Sequence, residues 1–107
     1  MPRSAQDSRQ AILRAAAAEF AARGFAGAGV DRIARRAGVN KAMIYYHFND
    51  KAHLHHAIVC DMFAAIRART GAVASSDAAP AAKLDAFIEA IVSEARARPH
   101  FPPMMMR

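Results

Sequence analysis

The chain has 107 residues, enough for one domain and part of a second, and 54% of them are hydrophobic. Its formal net charge of +6 favours a polyanionic partner, and its one cysteine, Cys60, excludes a disulfide framework and a cysteine-rich zinc site. Residues 1–10 lack an apolar signal segment, and no apolar stretch reaches the roughly 20 residues of a spanning helix, so we expect a cytoplasmic protein with no membrane partner. Abundant Ala and the absence of alternating β-branched runs predict an all-α fold.

The first predicted helix begins at a cap supplied by Ser4 or Asp7 and ends at Gly24. Phe25 then follows as an apolar anchor, and residues 26–29 form a connection of small side chains. The spacing of three and four predicts an apolar face made of Ile12, Leu13, Ala16, Ala17 and Phe20.

Two short helices joined by a glycine turn come next, from about Val30 to Ala37 and from an Asn40 cap to about Phe48. Gly38 suits the sharp turn between them, because a glycine adopts backbone angles that are costly for residues with a Cβ. This arrangement is the helix-turn-helix signature, and it predicts a three-helix, homeodomain-like domain over residues 1–50. The turn and core of the motif are expected to comprise Ile33, Ala34, Ala37, Gly38, Val39, Ile44 and Phe48.

Three more helical segments are predicted after residue 50. One runs from Lys51 to about Arg69, with Cys60 inside it as an expected small buried side chain, and a loop follows over residues 71–79. Another begins at Pro80 and ends near Arg98. Residues 102–106 resemble the start of a sixth helix, so we expect the natural protein to continue beyond residue 107. The apolar positions are Leu54, Ile58 and Met62, then Leu84, Phe87, Ile88, Ile91 and Val92, and finally Met104, Met105 and Met106.

The second helix of the motif has the composition of a DNA reader. An α-helix enters the major groove of B-DNA when its polar face projects from the protein body. Lys41 can donate to guanine O6/N7 or to a phosphate, small Ala42 allows close approach to base edges, and Met43 can contact a thymine methyl group. These three residues are the predicted base-facing set.

Phosphate contacts are expected from the far end of this helix and from the start of the next. Phosphates accept hydrogen bonds from ring side chains, lysines and helix N-termini. The predicted set is Tyr45, Tyr46, His47 and Lys51. Two alternatives stay open: Tyr45 as a half-buried core residue, and Arg35 with Arg36 as a solvated helix face.

Together these features resemble the N-terminal DNA-binding domain of the TetR family, over roughly residues 9–58. The resemblance implies a homodimer that binds a palindromic operator in double-stranded DNA and usually represses transcription. It also implies release of DNA when a small-molecule effector enters a C-terminal domain, of which residues 51–107 would hold the linking helix and the beginning. Two positions depart from the family pattern: Gly29 stands where a capping Thr or Ser is common, and Asp31 is acidic where some members contact DNA.

Other classes of function find little support in the sequence. Phosphate-binding glycine loops, paired carboxylates and nucleophile–base sets are not recognisable, so we expect no enzyme activity and no cofactor. A histidine cluster suggests a metal, yet no carboxylate or cysteine completes a recognisable ligand set, so we expect none. It comprises His47, His53, His55 and His56. A basic amphipathic protein acting on membranes is disfavoured, because several short capped helices consume their apolar faces by packing on each other.

Overall fold

The computed structural model describes residues 4–106, and every regular element in that range is an α-helix, which confirms the all-α prediction. The helices are α1 (Ala5–Gly27), α2 (Val30–Ala37), α3 (Lys41–His47), α4 (Lys51–Ala74), α5 (Pro80–Ala97) and α6 (Phe101–Met106). The described residues form two compact units, the first from 4–58 with 100–106 and the second from 59–99. The predicted domain division into 1–50 and 51–107 stays a prediction. No helix within residues 4–106 has the length and apolar character needed to cross a membrane.

Helix α1 is bounded by local signals that the sequence contains. The Ser4 hydroxyl accepts a hydrogen bond from the backbone N–H of Asp7 at 3.1 Å, which caps the helix. Gly24 has φ 73° and ψ 172°, a region that is essentially restricted to glycine, so the helical conformation is interrupted there. A further short turn then reaches Gly27. Gly24 therefore marks a kink inside α1, where the sequence predicted its end.

The core of the first unit forms around α1, which packs against α2, α3 and α6. Its largest apolar side chains, each at most 1% exposed, are Ile12, Phe20, Ile33, Ile44 and Leu54. Helix α6 contributes Phe101 and Met104 to this core, whereas Met105 and Met106 are exposed. Because Pro102 and Pro103 occupy its first turn, their missing N–H groups cost α6 no internal hydrogen bond.

Helix α4 is longer than the sequence predicted, because residues 71–74 are helical and the loop covers 75–79. A single glycine at position 71 costs a helix about 1 kcal/mol relative to alanine, too little to end it. The serine hydroxyls beyond it satisfy the last carbonyls. Ser75 Oγ donates to the Gly71 oxygen at 3.0 Å, and Ser76 Oγ donates to the Val73 oxygen at 2.7 Å.

In the second unit, the end of α4 is linked to α5 by polar contacts. Arg69 forms an ion pair of 3.2 Å with Glu94, which also pairs with Arg98. Ala90 is buried, but five large apolar side chains of α5 are between 36% and 59% exposed. They are Leu84, Phe87, Ile88, Ile91 and Val92. These five residues form what we call the α5 apolar stripe.

Cys60 is exposed, so the expected burial is wrong. The buried side of α4 in this region is defined by Ile58 and Met62, four residues apart. Cys60 lies two residues from each, which places it about 200° away around the helix. The apolar period of α4 therefore turns this side chain toward solvent.

Candidate nucleic-acid interface

The turn between α2 and α3 has the geometry that its glycine allows. Gly38 has φ 73° and ψ 33°, the left-handed region, and its N–H bonds to the Arg35 oxygen at 3.2 Å. The Val39 N–H donates to the Ala34 oxygen at 3.0 Å, which satisfies another carbonyl at the end of α2. Five of the predicted turn and core residues are buried: Ile33, Ala34, Ala37, Ile44 and Phe48. Val39 is half-buried.

Helix α3 directs its polar face to solvent. Asn40 caps it, since its Oδ1 accepts from the Met43 N–H at 2.9 Å. Tyr46 is 76% exposed and Tyr45 is 47% exposed, so about half of Tyr45 is covered by protein and its half-buried alternative stays open. The remaining predicted contact residues of α3 divide between exposed Lys41 and Ala42 and half-buried Met43 and His47.

A shallow depression lies beside α3 at its N-terminal end. Ala5 and Ser8 of α1 form one side, and residues of α3 with its cap form the other: Asn40, Ala42, Met43 and Tyr46. The small side chains at positions 5 and 42 leave this space open. The beginning of α1 therefore borders the part of α3 that was predicted to approach base edges.

Lys41 is held by an acidic partner that the predicted site left out. Its Nζ lies 2.8 Å from Asp31 Oδ1 in the first turn of α2, and both side chains are solvent-exposed. The hydrogen bond to Lys41 lowers the pKa of the Asp31 carboxyl, and the same bond raises the pKa of Lys41. Both groups are therefore charged at neutral pH.

Lys51 is tied to the connection between α1 and α2. Its Nζ donates to the Ala28 oxygen at 3.0 Å and lies 4.6 Å from the centre of the Phe25 ring. That ring in turn stacks with Phe20 at a centroid distance of 5.8 Å. An ammonium group has three donors, so a phosphate could still be bound while the Ala28 contact persists.

His47 presents one ring nitrogen to the interior. Its Nε2 is buried and has no hydrogen-bond partner among residues 4–106, and its ring meets Tyr46 edge-on at 5.1 Å. A phosphate contact by His47 therefore requires the other nitrogen, Nδ1, or a rotation of the ring.

Sequence reasoning missed Glu19, the buried carboxylate that joins α1 to α2. Its side chain is 2% exposed and accepts a hydrogen bond from Arg23 Nε at 3.1 Å. Arg36 Nε lies 3.2 Å and Arg32 Nε 3.8 Å from its two oxygens. Arg36 is thus part of an ion-pair cluster and is not just a solvated helix face. A glutamate one position before buried Phe20 was the available signal.

The start of α4 is capped by Asp50. Its Oδ1 accepts from the His53 N–H at 2.8 Å and lies 2.8 Å from that residue's Nδ1. These two hydrogen bonds lower the pKa of the Asp50 carboxyl. No group of three or more His, Cys, Asp or Glu side chains suited to a metal ion occurs in the described part of the chain.

Helix α2 begins after Gly29, without the capping Thr or Ser that is common in the family that the sequence resembles. Gly29 is the N-cap, with φ −103° and ψ 143°, and it supplies no side chain to the first turn. Apart from its own residue and the two chain neighbours, a Cβ built there would meet no atom of residues 4–106 within 4 Å, so a serine would fit. Glycine is a better N-cap than alanine, so α2 starts here without the hydroxyl.

The chain is similar to known proteins in both sequence and fold. Residues 12–58, which run from α1 through the first turns of α4, match the family model for bacterial regulatory proteins of the tetR family. A solved structure of a tetR family transcription regulator from Shewanella sp. PV-4 superposes with a TM-score of 0.76 at 27% identity, covering 90% of this chain and 51% of that one. Residues 12–58 are therefore similar to bacterial regulatory proteins of the tetR family.

Curated relatives match about half of this chain. The transcriptional regulator SrpR of Pseudomonas putida is 42% identical over 55 residues, 51% of this chain and 26% of the relative. The transcriptional activator FasR of Mycolicibacterium smegmatis is 46% identical over 55 residues, 50% of this chain and 25% of the relative. The transcriptional repressor SCO4008 of Streptomyces coelicolor is 40% identical over 57 residues, 53% of this chain and 30% of the relative. The chain is thus matched to between a quarter and a third of the length of these relatives.

Proposed function

We propose that this chain binds double-stranded DNA as part of a transcriptional regulator and reads the major groove with α3. The observation that carries the proposal is the exposed face of α3, held on buried Ile44 and Phe48. A helix can enter the groove when its outer face is free and its inner face is rigidly supported. The names of the relatives, all transcriptional regulators, support the same function and give no support to an enzyme.

The base-facing end is proposed to be the first turn of α3. Lys41 would donate to guanine O6/N7, Ala42 would allow the backbone to approach, and Met43 would contact a thymine methyl group. Asn40 supports this role indirectly, because its cap on the Met43 N–H stabilises the start of the helix. Base contacts determine which sequence is preferred.

The phosphate-binding set is proposed to surround that turn. Tyr45 and Tyr46 would donate from their hydroxyl groups, since both residues are partly or largely exposed, and His47 would use Nδ1. Lys51 would contribute its remaining N–H donors next to the beginning of α4. Phosphate contacts position a protein on DNA and strengthen binding to all sequences.

For the full-length protein we propose a homodimer on a palindromic operator, with half-sites about one helical turn, roughly 34–36 Å, apart. We further propose that it is a repressor released by a small-molecule effector. The relative named as a repressor supports this direction. If the protein is a repressor, its presence should lower the expression of a reporter gene placed downstream of selected sites. A rise would instead assign activation, as in the relative named as an activator.

The DNA-binding proposal is tested by fluorescence anisotropy with duplexes selected from a random pool. The logarithm of the affinity should fall linearly with the logarithm of the salt concentration, by about 0.9 for each phosphate contacted. Vesicles of anionic lipid, titrated in parallel, serve as the control for non-specific attraction of a basic chain. Absence of duplex binding at low ionic strength by a folded chain would refute the proposal, as would equal affinity for the vesicles.

Matched variants assign the roles. Tyr46→Phe removes one exposed hydroxyl group and should weaken binding to selected and unselected duplexes by the same factor, whereas Lys41→Ala should relax sequence preference. Lys51→Ala should also weaken binding to all duplexes, but it removes the bond to Ala28, so its thermal unfolding must be measured alongside. If Lys51→Ala does not change how the affinity depends on salt concentration, Lys51 does not contact a phosphate.

A further inference from the structure

We propose that Asp31 is a specificity-determining residue, which holds the Lys41 ammonium at the start of α3 and weakens binding to DNA of arbitrary sequence. The inference rests on the proposed function of α3. It concerns a residue that would otherwise be expected only to repel a phosphate.

The geometry joins the first turns of both helices of the motif. Asp31 lies in the first turn of α2, and Lys41 is the first residue of α3. Their side chains meet at 2.8 Å although both are well exposed, at 76% and 51%. Asp31 therefore restricts a flexible side chain at the position that was predicted to read a base.

The pairing leaves Lys41 able to donate. An ammonium group carries three N–H donors, and one of them is directed at Asp31 Oδ1. The other two remain for an acceptor on a base edge, such as guanine O6 or N7. Because the carboxylate already restricts the lysine side chain, less conformational freedom is lost when the base contact forms.

The same pairing reduces attraction for phosphates. A lysine that neutralises a phosphate releases a counterion, and this sequence-independent gain dominates non-specific binding. Beside Asp31 the charge of Lys41 is balanced, and a phosphate brought to it would also meet a carboxylate. A neutral base acceptor meets far less of this repulsion, so the pair favours base contacts over phosphate contacts.

The test compares the 107-residue chain with Asp31→Asn, Lys41→Gln and the double variant. Each is titrated with a duplex selected by the parent chain and with a random-sequence duplex of equal length. Asp31→Asn should tighten binding to the random duplex by about fivefold to tenfold at 0.1 M salt and steepen its salt slope by about 0.9. Affinity for the selected duplex should change less, so the ratio of the two affinities falls.

Two controls separate this role from a general change in charge. Asp77→Asn, in the loop of the second unit, makes the same change in net charge and should alter both affinities by less than twofold. In the Lys41→Gln background, Asp31→Asn should have a clearly smaller effect, because only the direct repulsion between the carboxylate and phosphates is then removed. An equal effect in that background would overturn the proposal, as would unchanged or weaker binding of Asp31→Asn to the random duplex. A folded parent chain that binds neither duplex would instead refute the proposed function itself.

Discussion

Replacing Glu19 with glutamine should lower the stability of the chain, because the carboxylate is buried while three guanidinium groups converge on it. Arg23 donates to it at 3.1 Å, and Arg36 and Arg32 lie 3.2 Å and 3.8 Å away. Glutamine keeps the shape of the side chain but loses its charge and one acceptor oxygen. The change therefore tests the ion-pair cluster without opening a cavity.

The expected magnitude follows from the exposure of the partners of Glu19. A charge-assisted hydrogen bond contributes about 1.5–3 kcal/mol. The hydrogen bond from Arg23 is of this kind. Arg32 and Arg36 are each about half exposed, so their ion pairs with Glu19 contribute about 0.2–1 kcal/mol each. Glutamine also avoids the cost of burying a charge, which offsets part of the loss. We expect the free energy of unfolding to fall by about 1–3 kcal/mol, and the Tm to fall by about 4–8 °C for each kcal/mol.

Thermal unfolding followed by circular dichroism measures this loss. Glu89→Gln provides the matched control, because Glu89 is an exposed glutamate of α5 and its replacement should shift the Tm very little. Arg36→Gln should cost more than Arg32→Gln, because Arg36 lies closer to the carboxylate. If Glu19→Gln unfolds at the parent temperature, the cluster does not stabilise the packing of α2 on α1.

Four further substitutions test local features. Gly24→Ala should lower the free energy of unfolding by about 1–3 kcal/mol and Gly38→Ala by about 1–2 kcal/mol, because both residues have positive φ. The larger cost is expected at Gly24, whose ψ of 172° is less accessible to alanine. Urea titration measures both losses, and a larger loss at Gly38 would contradict the prediction. Gly71→Ala should raise stability by up to about 1 kcal/mol, since the position is helical with open space around it; no gain in Tm would argue against helix there. Asp50→Asn keeps a capping side chain but cannot titrate. Because the pKa of Asp50 is lowered in the folded state, the contribution of its carboxylate to stability is complete above the ordinary carboxyl pKa and is lost as the pH falls through the folded value. Between about pH 5 and pH 2 the variant should therefore lose less stability than the parent in acid titrations.

Helix boundaries were predictable where the signal acts within a few residues. Ser4, Asn40 and Asp50 each accept a hydrogen bond from the backbone N–H three positions later, so a polar residue before an apolar period was sufficient. Gly38 was predictable for the same reason, since the turn needs a positive φ at that residue. The assignment of α3 contacts to bases and phosphates stays a prediction.

Features that depend on packing between helices were not predictable in this way. The partners of Glu19 come from α2, so they follow from how that helix crosses α1. The contact of Lys51 with Ala28 joins residues 23 positions apart, and the expected phosphate role gave no hint of it. The end of α4 was placed too early, because Gly71 was given the weight of a stop signal that the helix overrides.

The α5 apolar stripe bears on how stability is distributed along the chain. Helices of this length gain most of their stability by burying an apolar face, and in α5 that face remains in contact with water. Backbone amides of α5 should therefore exchange with deuterium sooner than those in the buried middle of α1, on the scale of local opening rather than global unfolding. A durable helix near the beginning of the chain would then coexist with a helix that opens readily between residues 80 and 97.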